Sequence, residues 1–186
     1  MSELDHIVRV LKSGGTILYP TDTIWGIGCD ATNAGAVDRV LNLKVPNVDQ
    51  PLIVLVDSIQ MLHRYVSDVH PRIETLLSYH QRPLTVIYDD CHNLPHNVLD
   101  GHGSVAIRVT LDPFCREVIG SLGRPLIAND ASDFSMDLPI RFSDIDHQIM
   151  NGVDYVVNYK QDQVNDEFPS VIVRLTDKSE LDFIRE

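Results

Sequence analysis

Residues 15–30 read Gly-Thr-Ile-Leu-Tyr-Pro-Thr-Asp-Thr-Ile-Trp-Gly-Ile-Gly-Cys-Asp, and this stretch decides the predicted fold. The short, β-branched run at residues 16–19 is bounded by glycine and proline, which predicts a strand that continues into a loop over residues 20–30. Open α/β sheets bind ligands just beyond such strand ends. The loop therefore predicts a small-molecule pocket, with walls formed by Tyr19, Thr21, Asp22 and Trp25. The alternative is a structural loop in which Thr21 and Asp22 hydrogen-bond their own backbone.

Strands and helices alternate along the chain without a linker, a repeat or a low-complexity tract. Apolar spacing and capping signals predict helices that begin after Ser2 and at residues 34, 70 and 112, and further helices over residues 58–65 and 142–150. Short apolar runs predict further strands at residues 52–56, 84–88, 104–110, 126–128, 155–157, 171–175 and 182–184. We therefore predict a single α/β domain of the α+β type over residues 1–186. Its mixed, twisted sheet has about seven strands flanked by helices.

The chain is acidic, because its 186 residues carry 15 Lys+Arg against 27 Asp+Glu, a formal charge of −12. Lys and Arg supply the grip on nucleic acid phosphates, so this balance argues against wide, sequence-independent nucleic acid binding and leaves only a local basic cleft. No run approaches the roughly 18–20 apolar residues of a membrane span. The first residues also lack the basic start and apolar stretch of a secretory signal. We expect a cytoplasmic protein with no membrane partner, and its oligomeric state is left open.

The cysteines and histidines do not follow a metal-binding pattern. Cys29, Cys91 and Cys115 form neither an even set nor a C-x-x-C pair, which favours buried thiols over disulfides or a zinc site. The histidines of the polar loop at residues 92–102 have a spacing that matches no standard metal site, so we expect them to be solvated.

Further motifs follow residues 15–30 in a fixed order along nearly the whole chain. They are Pro-Leu-Ile-Val-Leu-Val at 51–56, Pro-Leu-Thr-Val-Ile at 83–87, Ser-Val-Ala-Ile-Arg-Val at 104–109, Arg-Pro-Leu-Ile at 124–127 and Pro-Ser-Val-Ile at 169–172. In this ordered series the chain resembles the YrdC-like family of threonylcarbamoyl-AMP synthases. The resemblance implies the YrdC-like fold and the family's reaction, in which L-threonine, bicarbonate and ATP become threonylcarbamoyl-AMP and pyrophosphate. This is the first step of threonylcarbamoyladenosine synthesis in tRNA.

The resemblance also implies roles for individual residues. Threonine binding falls to Thr23, Arg108 and Ala128, and nucleotide binding to Lys44, Gln50, Ser104, Asp130, Ser132 and Arg185. ATP would enter as its magnesium complex, with no tightly bound cofactor and no protein nucleophile. Arg108 also has a second interpretation, because a buried mid-strand arginine can serve a purely structural ion pair. Its planar guanidinium suits a carboxylate, which favours the ligand role.

Three positions depart from the family pattern, all at the expected nucleotide site. Pro46 replaces the arginine of a K-x-R motif, and Asp130 and Ser132 replace the serine and asparagine of an S-A-N motif. Proline carries no charge, and a carboxylate repels phosphates unless magnesium bridges them. Two functions stay open. One is a synthase with an altered ATP site, in which Asp130 binds magnesium. The other is a catalytically weakened paralogue that binds a small amino-acid-like ligand, a nucleotide, or double-stranded RNA or tRNA without forming the adenylate.

Overall fold

The computed structural model describes residues 2–43, 52–132, 139–164, 169–176 and 178–186. Its α-helices are α1 (Glu3–Lys12), α2 (Ala34–Leu43), α3 (Ile59–Leu62), α4 (Pro71–Tyr79), α5 (Pro113–Leu122) and α6 (His147–Gly152). Its strands are β1 (Ile17–Pro20), β2 (Trp25–Gly28), β3 (Ile53–Val56), β4 (Leu84–Tyr88), β5 (Val105–Val109), β6 (Leu126–Asp130), β7 (Tyr155–Val156), β8 (Val171–Leu175) and β9 (Leu181–Arg185). Two 3-10 helices cover His96–Val98 and Phe142–Asp144.

The strands form one mixed sheet in the order β7-β1-β2-β6-β3-β5-β4-β8-β9. The pairs β1–β7, β3–β5 and β4–β8 run parallel, and the other neighbours run antiparallel. Helix α1 packs on α5, and both α3 and α5 pack on β3. The α/β fold with a mixed sheet flanked by helices is therefore confirmed, with nine strands over the described ranges rather than about seven. That residues 1–186 form a single domain stays a prediction.

Local capping signals fix the ends of two helices as predicted. Ser2 and Asp5 form a reciprocal capping box at the start of α1, in which each side chain accepts a hydrogen bond from the other residue's backbone N–H. Asp112 caps α5 by accepting from the N–H of Cys115. Gly123 then ends α5 in the left-handed conformation, at φ 73°, which glycine adopts without steric cost.

The loop predicted over residues 20–30 is wrong in part, because residues 25–28 form β2, the second strand of a hairpin with β1. Gly28 explains how β2 fits between its neighbours. A Cβ atom at this position would lie 2.5 Å from Tyr19 Cε1 and 2.6 Å from the Ile127 carbonyl oxygen. The glycine therefore admits the tyrosine ring and the backbone of β6, so pairing on both sides overrides its low strand propensity.

Two helix predictions differ in extent. The helix capped by Ser58 ends at Leu62 rather than continuing to residue 65. The helix predicted over residues 142–150 is divided into a 3-10 turn and α6, because Asp146 starts a new helix by accepting from the N–H of Gln148. None of the helices in the described ranges has the length and apolar character needed to cross a membrane.

Candidate functional site

A pocket of about 190 Å³ opens where the β1–β2 hairpin meets β5, β6, β8 and β9. It is lined by residues 21 and 23–26, residues 128–130, residues 169, 170 and 172, and Ile53, Arg108 and Arg185. Sites for drug-sized ligands usually measure roughly 300–1,000 Å³. The cavity therefore suits a ligand the size of an amino acid, and a nucleotide would have to extend beyond it.

The hairpin loop brings two threonine hydroxyls to the pocket. Thr21 Oγ1 donates to the Ile24 carbonyl oxygen at 2.7 Å and accepts from the Thr23 N–H at 3.1 Å. It also lies 3.0 Å from Thr23 Oγ1. Thr21 therefore hydrogen-bonds within its own loop, as expected if the loop is structural. The same bonds also hold Thr21 and Thr23 on the pocket wall. Trp25 lines the pocket too, although it is only 1% exposed and packs against Phe142 with ring centroids 5.1 Å apart.

Arg108 lies on β5, lines the pocket and is only 2% exposed. Its Nη2 is 2.9 Å from Asp22 Oδ1, so this arginine is in a structural ion pair and in the pocket at once. Its Nε is buried and has no hydrogen-bond partner among the described residues. Buried donors are normally satisfied. Arg108 therefore brings a guanidinium group to the lining of the pocket, and the shape and charge of that group suit a carboxylate.

A second guanidinium, from Arg185 on β9, lines the same pocket. Its Nε donates to the Ser170 carbonyl oxygen at 2.9 Å and its Nη2 to Ser170 Oγ at 3.0 Å. Ser170 Oγ is in turn 2.8 Å from Thr85 Oγ1. Burial, followed by the charge of Arg108, lowers the pKa of Arg185, and the Asp130 carboxylate opposes that shift. Two guanidiniums thus face a small space, which favours an anionic ligand.

Ala128 and Asp130, both on β6, line the pocket as well. Asp130 Oδ1 accepts hydrogen bonds from the backbone N–H and the hydroxyl of Ser132, which itself does not line the cavity. Asp130 is the one carboxylate among the described lining residues. A single carboxylate beside substrate phosphates is a common way to hold magnesium, so the residues present fit a magnesium–nucleotide complex.

Besides Ser132, three described residues predicted at the site lie outside the cavity lining. Tyr19, expected on the pocket wall, is fully buried and donates from its hydroxyl to the Ile127 carbonyl oxygen at 2.9 Å, because its ring occupies the space left by Gly28. Burial raises the pKa of Tyr19 well above its usual value. Asp22, also expected on the wall, does not line the cavity and contacts Arg108 instead.

The third is Ser104, which does not line the cavity either. Its hydroxyl donates to Asp89 Oδ1 at 2.7 Å and accepts from Arg174 Nη2 at 3.3 Å. Lys44, Pro46 and Gln50 lie outside the described residues.

The cysteines and loop histidines contribute nothing to this pocket. Cys29 and Cys115 are buried, as predicted, and Cys91 is partly buried. Burial raises the pKa of Cys29 to about 12. Within the part of the chain that the structure describes, no group of three or more His, Cys, Asp or Glu side chains could hold a metal ion.

Two polar lining residues, Ser170 and Asn129, received no role from the sequence. Ser170 belongs to the Pro-Ser-Val-Ile motif at residues 169–172, so the position of that motif before a strand was an available signal. Asn129 offered none, because an isolated asparagine inside an apolar run does not indicate which neighbours it will contact.

Sequence comparison with known proteins finds relatives that all point to the same family. The Sua5/YciO/YrdC family model, described as "Telomere recombination", matches residues 9–186. A threonylcarbamoyl-AMP synthase of Moraxella catarrhalis is 31% identical over 135 residues, which cover 66% of this chain and 65% of that protein. One of Pseudomonas aeruginosa is 38% identical over 125 residues, covering 67% of each chain.

Solved structures match the fold at lower identity. P. abyssi Sua5 complexed with L-threonine has a TM-score of 0.84 at 20% identity, covering 98% of this chain and 53% of that chain. E. coli YciO has a TM-score of 0.81 at 19% identity, covering 98% of this chain and 88% of that one. The chain thus spans about half of the Sua5 chain and about two thirds of the curated relatives. Since the family model matches nearly its whole length, the chain belongs to the Sua5/YciO/YrdC family.

Proposed function

We propose that this protein is an L-threonylcarbamoyladenylate synthase, which converts L-threonine, bicarbonate and ATP into threonylcarbamoyl-AMP and pyrophosphate. The observation that carries the proposal is the buried Arg108, which lines an amino-acid-sized pocket beside two threonine hydroxyls. The curated relatives are named threonylcarbamoyl-AMP synthases, which supports threonylcarbamoyl-AMP as the product. The P. abyssi Sua5 structure, a complex with L-threonine, supports the same amino acid.

In this proposal the threonine carboxylate binds Arg108, because a guanidinium fork matches a carboxylate in shape and charge. Thr23 and Ala128 line the same cavity and contact the amino acid beside it. Thr21 and Trp25 complete the wall. The cavity is too small for a whole nucleotide, so ATP extends outward past Arg185 and Asp130, with Lys44 and Gln50 as further nucleotide contacts.

The chemistry needs positioning rather than a nucleophilic side chain. The threonine amine is first carboxylated by bicarbonate with loss of water. A carbamate oxygen then attacks the α-phosphorus of ATP, and pyrophosphate leaves. The protein holds the amino acid and the nucleotide at attacking distance and keeps water from the labile carbamate. Arg185 contributes positive charge near the nucleotide.

We further propose that the ATP site is altered relative to the family pattern. Pro46 carries no charge where the family has arginine, and Asp130 adds a negative charge to the pocket lining. Asp130 would hold magnesium together with the phosphates, and magnesium would offset part of the negative charge of the triphosphate when bound. Ser104 contacts Asp89 and Arg174, so its part in nucleotide binding would require those side chains to move.

The weakened paralogue is the less favoured alternative, because the matched relatives carry the name of the synthase. tRNA would be the eventual acceptor of the threonylcarbamoyl group, bound weakly given the charge of −12, and the reaction would take place in the cytoplasm.

The test is to incubate the protein with ATP, magnesium, L-threonine and bicarbonate while measuring pyrophosphate and identifying the adenylate by mass spectrometry. We expect pyrophosphate release that requires both threonine and bicarbonate. Matched reactions without bicarbonate, or with L-alanine in place of threonine, are the controls. Folded protein that binds threonine without forming the adenylate would support the paralogue instead.

A further inference from the structure

Asp22 and Arg108 form an ion pair that is almost completely removed from solvent. The side chains are 6% and 3% exposed, and Asp22 Oδ1 lies 2.9 Å from Arg108 Nη2. Removing two charges from water costs several kcal/mol for each ion unless they are paired with good geometry. The attraction between the two opposite charges therefore offsets part of the cost of burying the Arg108 guanidinium.

Asp22 is itself fixed through its other oxygen. Asp22 Oδ2 accepts from the Leu111 N–H at 3.0 Å and from Thr110 Oγ1 at 3.2 Å, just beyond the end of β5. One oxygen thus faces the arginine while the other is attached to the backbone that follows the arginine's own strand. The two hydrogen bonds to Oδ2 fix the carboxylate, and Oδ1 makes a close charge contact with Arg108 without accepting a hydrogen bond.

The arginine is restrained only in part. Asp22 contacts Nη2, whereas Nε is buried without a hydrogen-bond partner among the described residues, and Arg108 lines the pocket although Asp22 does not. Asp22 thus contacts one nitrogen of the guanidinium from outside the cavity, and Arg108 itself reaches the cavity lining.

We propose that Asp22 is a positioning residue, which holds the Arg108 guanidinium in the orientation that receives the carboxylate of the amino-acid substrate. This inference rests on the proposed function, because it concerns the amino-acid half of the same site. It assigns Asp22 no contact with substrate and no part in nucleotide binding.

The chain offers a closely matched control in Asp30. Its side chain is 1% exposed, and its Oδ2 pairs with Arg124 Nη1 at 2.7 Å. Its Oδ1 accepts from the N–H and hydroxyl of Thr32, the same kinds of donor that hold Asp22. Neither Asp30 nor Arg124 lines the pocket. Asp30→Asn and Asp22→Asn therefore each remove the charge of a buried aspartate; Arg124 is 54% exposed where Arg108 is 3% exposed, and only Asp22 acts on Arg108.

The experiment measures binding of L-threonine and, separately, of magnesium–ATP to the full chain by calorimetry, alongside the Tm of each variant. For Asp22→Asn we expect threonine affinity to fall about tenfold or more, with ATP affinity unchanged. For Asp30→Asn we expect both affinities to match the wild type. Equal losses for threonine and ATP in Asp22→Asn, or a threonine affinity equal to that of the wild type, would overturn the proposal.

Two further variants separate positioning from a general structural role. Thr110→Val removes one donor to Asp22 while keeping both charges, and it serves if Asp22→Asn does not fold. We expect it to weaken threonine binding about threefold, and an unchanged affinity would count against the proposal. In the Arg108→Lys background, adding Asp22→Asn should lower the threonine affinity little further, because Asp22 acts through Arg108. Losses of threonine affinity that add up in the double variant would contradict this. A wild type that binds ATP but no amino acid would instead refute the proposed function.

Discussion

Replacing Gly28 with alanine should destabilise the hairpin that carries Thr21 and Thr23. The new Cβ would lie 2.5 Å from Tyr19 Cε1 and 2.6 Å from the Ile127 carbonyl oxygen, and both distances are far shorter than a normal contact. Because the second atom belongs to the backbone, the contact cannot be relieved by rotating one side chain. The ring of Tyr19 and the spacing between β2 and β6 must both change.

The size of the effect follows from these two contacts. Overpacking a well-filled core costs about 1–3 kcal/mol. Moving the ring also breaks the 2.9 Å hydrogen bond from the Tyr19 hydroxyl to Ile127. A buried polar group left without its partner costs about 1–3 kcal/mol. We therefore expect a loss of roughly 3–4 kcal/mol in the free energy of unfolding. For a chain of this size the Tm should fall by about 10 °C.

Urea unfolding can be followed through Trp25, the only tryptophan, because it is 1% exposed in the folded protein and becomes solvated on unfolding. Gly101→Ala is the matched control, since a Cβ at Gly101 would meet no atom within 4 Å. Shortening the side chain of Tyr19 to leucine in the Gly28→Ala background should recover part of the loss, because one of the two close contacts disappears. A Gly28→Ala protein within about 0.5 kcal/mol of the wild type would refute the packing argument.

Three further outcomes are expected. Gly120→Ala should stabilise the protein by about 0.5–1 kcal/mol in urea unfolding, because Gly120 is exposed within α5 and its Cβ would meet only Asp57 Oδ2, at 3.7 Å. The pKa of Asp154 is lowered by a hydrogen bond from Arg39 and then by those from Thr16, against the effect of burial. The stability that the Asp154 carboxylate contributes is therefore present above the pKa of the unfolded chain, about 4, and is lost as the pH falls through the lower pKa of the folded protein. Because the Asp154 side chain is 40% exposed and solvent screens its charge, Asp154→Asn should cost only about 0.5–1 kcal/mol at pH 7 and flatten the acid side of the stability profile, whereas an unaltered profile would contradict this. The triple variant Pro46→Arg, Asp130→Ser, Ser132→Asn should lower the KM for ATP about ten- to a hundredfold without changing that for threonine, and a KM for ATP that does not fall would refute the altered ATP site.

The sequence predicted the fold best where the signals are local. The cap Asp112, the following Pro113 and the left-handed Gly123 determine both ends of α5 from neighbouring residues alone. Strand β2 could not be predicted in this way, because Trp-Gly-Ile-Gly has weak strand propensity and forms a strand through its pairing with β1 and β6. The glycine that argues locally for a loop is required by the tyrosine ring and the backbone packed against it.

The candidate site was predictable in its residue types and less so in its geometry. Residues 15–30 and Arg108 were expected near one pocket, and Thr21, Thr23 and Arg108 do line one cavity. The sequence posed a structural ion pair and a ligand role as alternatives for Arg108, yet one guanidinium can serve both. The partner of Asp22 was not predictable, because only the position of β5 beside the hairpin loop brings the two side chains together.

The net charge of −12 describes the molecule and not the pocket, where two guanidiniums face a small cavity. Each of them has a carboxylate whose charge acts on it, Asp22 on Arg108 and Asp130 on Arg185. The two carboxylates differ in whether they meet a bound ligand. Asp22 does not line the cavity, so it can orient Arg108 without meeting the ligand, whereas Asp130 lines the cavity and faces whatever anion enters. In the proposed function the amino acid therefore meets Arg108 alone, whereas the nucleotide meets Asp130 as well, and a magnesium ion would offset the repulsion between that carboxylate and the phosphates.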